Sequence, residues 1–162
     1  TIRVPDAWQR ERVFLVVVDE SPEMRNALRY ACRRAKRTGG RVAMLYVMEP
    51  PEGQQWGAVM DLMRQEARQQ AEEVIAGHAD AAVSLTGQPP TIHIREGKSR
   101  DELVKLITED RSISVLVLAS ASSSEGPGPL VTAFAGKLGN QLRVPLTIVP
   151  GVLTEAEIDA IS

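Results

Sequence analysis

Hydrophobic residues along this chain form continuous runs that alternate with stretches of helical periodicity. Three runs, at 13–18, 42–47 and 115–119, contain no charged residue. Such runs are typical of parallel strands that are buried on both faces. Residues 91–95 alternate between apolar and polar side chains, which predicts a half-covered edge strand, and residues 145–149 predict a last strand.

The segments between these strands carry the start and stop signals of helices. Ser21 is a suitable N-cap and Pro22 fits the first helical position, so the first helix is expected to begin there. Ser99-Arg100-Asp101-Glu102 and Thr154-Glu155-Ala156-Glu157 have the pattern of a capping box. One face of the first helix is expected to be solvated because it carries a row of arginines: Arg25, Arg29, Arg33 and Arg37. The predicted helices cover 22–38, 57–84, a segment from 99, 129–142 and a short acidic tail from 154.

The order of these elements, a strand followed by a helix five times over, predicts the fold class. Strands that alternate with helices form a parallel sheet covered by helices on both faces. Because the crossovers are almost always right-handed, the expected architecture is a three-layer, doubly wound α/β/α sandwich. We expect an N-terminal extension at 1–12, one domain at 13–150 and a tail helix at 151–162.

Composition and charge narrow the classes of partner. The chain has 162 residues and a net charge of −2, so it presents no electrostatic case for binding nucleic acid or an anionic membrane. No apolar run approaches the roughly 20 residues that a membrane helix needs. Its one cysteine, Cys32, excludes an internal disulfide and suits a reducing cytoplasm, where we expect the protein to act. Cys32 lies on the apolar stripe of the first helix, so a buried thiol is expected.

A stretch of small residues follows the run at 115–119. Positions 120–129 hold only Ser, Ala, Gly, Pro and one Glu, and a helical pattern begins directly afterwards. A buried strand, a small-residue loop and a helix start are the parts of a phosphate-binding site in an open α/β sheet. They are equally the parts of an ordinary strand-to-helix loop. The pattern alone leaves both interpretations open.

Asp19 directly follows the first predicted strand and also has two interpretations. Ligands of open α/β sheets bind beyond the carboxyl ends of the strands, where Asp19 can accept a hydrogen bond from an adenine amino group or a ribose hydroxyl. Alternatively, its carboxylate stabilises the start of the helix at Pro22. The sequence favours neither.

Six short segments, in this order and at these spacings, resemble those of a known family. They are Val16-Val17-Val18-Asp19-Glu20-Ser21, Ala27-Leu28-x-x-Ala31, Gly39-x-x-Val42, Leu45-Tyr46-Val47, Arg95-Glu96-Gly97 and Val144-Pro145-Leu146-Thr147-Ile148-Val149. Together they resemble the universal stress protein family over nearly all of 13–149. The resemblance implies a five-stranded sheet of order 3-2-1-4-5, similar to adenine nucleotide alpha hydrolases, and a homodimer formed through the last strand, at 145–149.

The resemblance also implies a nucleotide site. ATP-binding members of the family carry Gly-x-x-Gly, nine residues, then Gly-Ser or Gly-Thr between the fourth strand and the fourth helix. Those places hold Ala119, Ser122, Thr132 and Ala133 here, with no glycine where one is expected, whereas Asp19 matches the aspartate on the adenine side. The candidate nucleotide-contacting residues are therefore Asp19, Val47, Ala119, Ser120, Ser122, Gly126, Gly128, Thr132 and Ala133.

The loop chemistry separates two functional hypotheses. Pro127 and Pro129 remove two N–H donors, and Glu125 adds a charge that repels phosphate. The first hypothesis is a regulatory or interaction module of the stress response that has a degenerate nucleotide site and acts through protein partners. The alternative is an ATP- or AMP-binding switch that uses Asp19 and the loop at 120–128.

Enzymatic and metal-dependent functions are the weakest of the hypotheses. His78 and His93 lie on different predicted elements, and nothing in the sequence pairs them with Cys32 as ligands or as a nucleophile and its base. We also find no base or metal-ligand set near the loop, so a slow ATPase has little support.

Overall fold

Five strands pair in parallel and build the central sheet. The structure, a computed structural model, describes residues 10–50 and 57–162. The strands are β1 Val13–Val17, β2 Arg41–Met48, β3 Thr91–Glu96, β4 Val115–Ser120 and β5 Leu146–Pro150. The helices are α1 Met24–Thr38, α2 Ala58–Thr86, α3 Ser99–Glu109, α4 Pro129–Ala135 and α5 Glu155–Ile161. The sheet order is β3-β2-β1-β4-β5, so the predicted fold class and strand order are confirmed.

Helices cover the sheet on both faces because alternate residues of the central strands point to opposite sides. All five residues of β1 are buried. Val16 packs into a core with α1, α2 and α5, whereas Leu15 packs into a second core with α3 and α4. This two-sided burial explains why the central strands are continuous hydrophobic runs.

The start of α1 differs from the prediction. The helix begins at Met24 after Glu23, without a side-chain cap. Ser21 is not the N-cap, because its backbone N–H donates to Asp19 Oδ1 at 2.9 Å and its hydroxyl donates to the same oxygen. This side-chain-to-backbone turn competes with helix capping and keeps Pro22 outside the helix.

The predicted capping box at Ser99 is also wrong. Ser99 is the first residue of α3 rather than its cap, and Lys98, which precedes it, makes no side-chain cap hydrogen bond. The Glu102 carboxylate accepts a hydrogen bond from Lys105 Nζ at 3.1 Å and makes none with the backbone at the start of the helix.

The helix after the small-residue loop is shorter than expected. It ends at Ala135 rather than near Leu142, and a 3-10 turn follows at Gly139–Gln141. Gly136, with φ −110° and ψ −127°, leaves the helical conformation. Glycine has the weakest helix preference after proline, because it gains the most backbone freedom outside the helix.

The tail helix α5 begins as predicted. Thr154 Oγ1 accepts from the backbone N–H of Glu157 at 3.2 Å, and the Glu157 side chain accepts from the backbone N–H of Thr154 at 3.1 Å. These two reciprocal bonds are the predicted capping box.

The arginine row of α1 is exposed at its two ends, Arg25 and Arg37, as the sequence predicts. Its middle is not the predicted solvated face, because α5 packs on Arg29 and Arg33. Arg29 donates two hydrogen bonds to the Asp159 carboxylate, at 2.8 and 2.7 Å, and Arg33 lies 3.5 Å from it. The hydrogen bond from Arg29 is the main cause that lowers the pKa of Asp159. Ile158 is fully buried beneath, and Asn26 donates to two backbone carbonyls of the preceding turn. The tail is therefore fixed to α1.

Candidate functional site

Asp19 lines three concave regions, and two of them flank the end of β1 at the carboxyl edge of the sheet. The third, of about 400 Å³, lies between α1 and α2 and includes His78. Asp19 follows β1, whose neighbours β2 and β4 lie on opposite sides, so it occupies the point where the strand order reverses. On the β2 side it lines a cavity of about 940 Å³, here called the main cavity. On the β4 side it lines a space of about 70 Å³, here called the loop cleft.

The main cavity has the size of a ligand site. Pockets for small molecules typically occupy about 300–1,000 Å³. Its walls come from the ends of β1 and β2, from α2, from the β3–α3 connection and from α4. Two predicted residues besides Asp19, namely Val47 and Ala133, lie in this lining.

The Asp19 carboxylate combines a structural role with a free acceptor. Its Oδ1 accepts both hydrogen bonds from Ser21. No described residue donates to Oδ2, and the side chain is exposed. Asp19 therefore shapes the turn before α1 and keeps one oxygen for a donor in the cavity.

Tyr46 adds a neutral polar group to the main cavity. Partial burial is the largest cause that raises the pKa of its hydroxyl, and the charges of Glu20 and Asp19 raise it further. The hydroxyl consequently stays protonated at neutral pH and can donate a hydrogen bond. Gln70 also lines the cavity, and its side-chain amide donates to Glu20 at 2.9 Å.

Three backbone N–H groups of residues 120–128, here called the serine loop, donate to acceptors within the loop. The Ala121 N–H donates to the carbonyl of Pro127 at 2.9 Å, and the Gly126 N–H donates to the carbonyl of Ser123 at 3.2 Å. The Glu125 N–H donates to Ser123 Oγ at 3.0 Å. Three backbone donors of the loop are thereby used within it, and Pro127 has none to give.

The loop glycines serve this closed turn. Gly126 has φ +105° and Gly128 has φ +103°, both in the region that favours glycine. Gly128 lines the loop cleft together with Ala119. The turn accounts for the glycine at Gly126, and the start of α4 accounts for the glycine at Gly128. Neither glycine needs a phosphate-binding role to explain it.

The predicted site residues therefore separate into three groups. Val47 and Ala133 line the main cavity, Ala119 and Gly128 line the loop cleft, and Asp19 lines both. Four predicted residues line neither of these spaces: Ser120, Ser122, Gly126 and Thr132. Ser120 belongs to β4, where its carbonyl accepts from the Gly151 N–H at 2.9 Å.

Sequence reasoning missed the residues that line the β2 and β3 side of the cavity. Tyr46 lies within an apolar run, and Lys98 and Arg100 are the neighbours of Ser99 in the predicted capping box. None of them was therefore considered as a contact residue. A signal was present, because the carboxyl ends of neighbouring parallel strands meet at one edge. Residues directly after the second and third strands are therefore candidates along with those after the first and fourth.

The remaining reactive side chains lie outside the main cavity. Cys32 is fully buried, as predicted, and burial raises its pKa to about 12. Burial is the first cause that lowers the pKa of both His78 and His93. Within 10–50 and 57–162, no group of three or more His, Cys, Asp or Glu is placed to hold a metal ion. Over the same ranges, no helix has the length and apolarity needed to cross a bilayer.

Comparisons with known proteins identify what the chain is similar to. A model of the universal stress protein family matches residues 11–150. The structure of universal stress protein UspA from Lactobacillus plantarum superposes with a TM-score of 0.72 at 14% identity, over 86% of this chain and 98% of that one. No curated protein matches the chain.

Two further structures were solved with a nucleotide. A universal stress protein family protein from Arabidopsis thaliana with AMP bound has a TM-score of 0.58 at 13% identity, over 86% of this chain and 91% of that one. A universal stress protein in complex with cAMP has a TM-score of 0.60 at 17% identity, over 85% of this chain and 96% of that one. At identities this low, the similarity to these structures shows that the chain shares their fold.

Proposed function

Since the chain belongs to the universal stress protein family, we propose that it is a regulatory module of the stress response with a degenerate nucleotide site. It lacks the glycine pattern that the family's ATP-binding members carry, and it keeps a cavity for an adenine nucleoside monophosphate. The observation that carries the proposal is the contrast at Asp19 between a cavity of about 940 Å³ and a cleft of about 70 Å³. The closed serine loop lies at the smaller one.

Adenine is the base that the cavity chemistry favours. Its amino group is a donor suited to Asp19 Oδ2, and Tyr46 offers a hydroxyl at the end of the neighbouring strand. Two relatives of the same fold have been solved with AMP and with cAMP, both of which carry one phosphate. A monophosphate thus agrees with the relatives and needs no Gly-rich loop.

Calorimetry with AMP, and with ATP and Mg²⁺, tests the proposal. We expect AMP to bind with a micromolar dissociation constant and ATP to bind weakly or not at all. A low-micromolar dissociation constant for ATP contradicts the degenerate site, and absence of AMP binding contradicts the monophosphate cavity. Identifying any nucleotide that co-purifies with the protein from cells provides a second check.

We further propose a homodimer formed through residues 145–149, in the cytoplasm, that signals through protein partners. β5 is at the edge of the sheet, its residues are uncharged, and Ile148 is 38% exposed. An uncharged edge strand is a template for pairing with a second copy. A tail helix that covered this edge would block the pairing, but α5 packs on α1 through Arg29 and Ile158.

Light scattering at tens of micromolar tests the dimer. Thr147→Pro should give a monomer because proline cannot donate to the pairing ladder. Ile148→Lys places a charge on the same edge without altering the backbone, and should also give a monomer. A monomeric unmodified chain, or an Ile148→Lys variant that stays dimeric, contradicts the proposed interface.

A further inference from the structure

Positive charge at the main cavity comes from Lys98, which joins β3 to α3, and from Arg100 in the first turn of α3. Lys98 and Arg100 both line the cavity. The serine loop has no lysine or arginine and carries Glu125. No ion pair joins Lys98 or Arg100 to another residue within the described ranges, so these two exposed lining residues have no internal counter-ion.

Asp19 and the two cations lie at opposite sides of the main cavity. Asp19 follows β1, whereas Lys98 and Arg100 follow β3, and β2 lies between these strands. Two strand spacings amount to about 10 Å. The cavity therefore offers a carboxylate at one side and two cations at the other, with Tyr46 and Val47 at the end of β2 between them.

Backbone constraints hold the β3–α3 connection at the cavity. The Gly97 N–H donates to the Met48 carbonyl at 2.9 Å, which ties the connection to the end of β2. Gly97 has φ +150°, and a Cβ there would lie 2.9 Å from Glu102 Oε2. The positive φ favours glycine at this position. Glu102 pairs with Lys105, so this nearby carboxylate already has a partner other than Lys98 and Arg100.

Other carboxylates at the cavity limit the charge of the ligand. Glu20 and Glu49 line it together with Asp19, giving three acidic side chains against two basic ones. Glu20 accepts a hydrogen bond from Gln70 and makes no ion pair with the two cations. A triphosphate would meet net repulsion in such a field, whereas a single phosphate held close to the two cations is accommodated.

We propose that Lys98 and Arg100 bind the phosphate of the cavity's ligand, in place of the serine loop. Arginine suits phosphate because its guanidinium forms paired, charge-assisted hydrogen bonds, and lysine adds a compact point charge. The nucleoside part of this assignment rests on the proposed function, with the base toward Asp19. The phosphate part depends only on the two cations and the cavity.

Inorganic phosphate tests the anion site without a nucleoside. In a titration of the unmodified protein followed by backbone amide NMR, the largest saturable shifts should fall at residues 97–100. The double variant Lys98→Ala/Arg100→Ala should lose them, and Lys105→Ala, which removes a cation of α3 outside the cavity lining, should keep them. Shifts concentrated at 120–128, or no saturable shift at 97–100, overturn the assignment.

A calorimetric comparison of AMP with adenosine tests whether Lys98 and Arg100 bind the phosphate of a nucleotide. The unmodified protein should prefer AMP over adenosine by about tenfold or more, as charged hydrogen bonds allow. The double variant Lys98→Ala/Arg100→Ala should lose this preference and retain the adenosine affinity of the unmodified protein. The serine-loop variant Ser122→Ala/Ser124→Ala should keep the AMP preference as well as the adenosine affinity. An AMP preference that survives the double variant overturns the assignment.

The two experiments fail in distinguishable ways. If neither AMP nor adenosine binds while phosphate still shifts residues 97–100, the proposed nucleotide function is wrong and the anion site stands. If AMP binds but the double variant leaves its affinity unchanged, the function stands and Lys98 and Arg100 are not its phosphate ligands. Both side chains are exposed, so the variants should retain the thermal midpoint of the unmodified protein.

Discussion

The main cavity and the loop cleft share one carboxylate and differ in almost everything else. Asp19 lines both, yet one has a volume of about 940 Å³ and the other about 70 Å³. The larger is bounded by strand ends and by exposed cations, whereas the smaller is bounded by a loop in which three N–H groups are already bonded. Both lie at the same reversal of strand order, so topology is not the cause of the difference.

The difference shows which part of a site the fold supplies and which part the loop supplies. A doubly wound sheet provides a crevice at its reversal point whatever residues follow the strands. Whether that crevice accepts phosphate on a given side depends on free donors and on how closely the backbone can approach. Here Pro127 and the bonded N–H of Ala121 close one side, while Lys98 and Arg100 lie at the open one.

The largest expected effect is the loss of AMP binding when Asp19 is changed. Asp19→Ala removes the free Oδ2 acceptor of the main cavity, and we expect the AMP affinity to fall by about tenfold or more, as for a charged hydrogen bond. Calorimetry measures the change. Glu23→Gln is the matched control, since Glu23 lines the loop cleft and not the main cavity, and it should leave the AMP affinity unchanged.

A second variant separates the two roles of Asp19. Asp19→Asn keeps an oxygen that can accept from the Ser21 N–H, so the turn before α1 should survive. It also removes the charge. If Asp19→Asn binds AMP as tightly as the unmodified chain, the turn rather than the carboxylate explains the effect of alanine.

A smaller effect, on the free energy of unfolding, is expected from a substitution in the core beneath the main cavity and the loop cleft. Cys32 is fully buried against the sheet, and Cys32→Ser replaces a thiol by a hydroxyl that has to find a partner. An imperfectly paired buried hydroxyl costs about 1–3 kcal/mol, so urea unfolding should show a loss of that size. AMP affinity should not change. Rapid labelling of native Cys32 by a thiol reagent would contradict the burial on which this prediction depends.

The fold was predictable because its determinants are local. Continuous apolar runs predict the buried strands β1, β2 and β4, and the capping box at Thr154 predicts the start of α5. The errors also have local causes. Asp19 competes for Ser21 and delays α1, and Gly136 ends α4 early.

The site was less predictable because it depends on which elements meet. Asp19, Val47 and Ala133 were found from the resemblance, but no residue of the β3–α3 connection was. The arginine row of α1 shows the same limit. Its periodicity predicts a solvated face, and only the path of the tail reveals that Arg29 pairs with Asp159. Contacts between residues far apart in sequence leave no periodic signal.

A modest effect is expected from reopening the loop cleft. Pro127→Ala/Pro129→Ala returns two N–H donors near the loop, and we expect ATP affinity to rise by no more than a few-fold. Ala119 and Ser122 still carry a Cβ where the family's nucleotide-binding loop has glycine, which limits the approach of a phosphate. Calorimetry with ATP and Mg²⁺ provides the measurement, and Pro145→Ala, outside the loop, is the control. ATP binding as tight as that of AMP would show that the prolines alone cause the difference.

The smallest expected effect is a pH dependence of stability that arises from the two histidines, His78 and His93. His78 on α2 lies in the crevice that contains Asp19, and burial and the charge of Arg25 lower its pKa below 6.5, against a smaller opposite effect of Asp19. The pKa of His93 on β3 is also lowered, first by burial and then by the charge of Arg95, whereas the charge of Asp110 raises it. In the folded state both side chains therefore take up a proton less readily than in the unfolded chain.

The sign of the dependence follows from this difference in proton binding. As the pH falls through 6.5, the unfolded chain protonates these histidines first, so the free energy of unfolding should decrease toward the lowered folded pKa values. Asp110 and Asp159, whose pKa values lie below 3.8, lose their contribution only in more acidic solution. Urea unfolding at about pH 7.5 and about pH 5.5 brackets the histidine window. His78→Gln/His93→Gln should flatten the difference between the two pH values, whereas an unchanged slope would assign it to other groups.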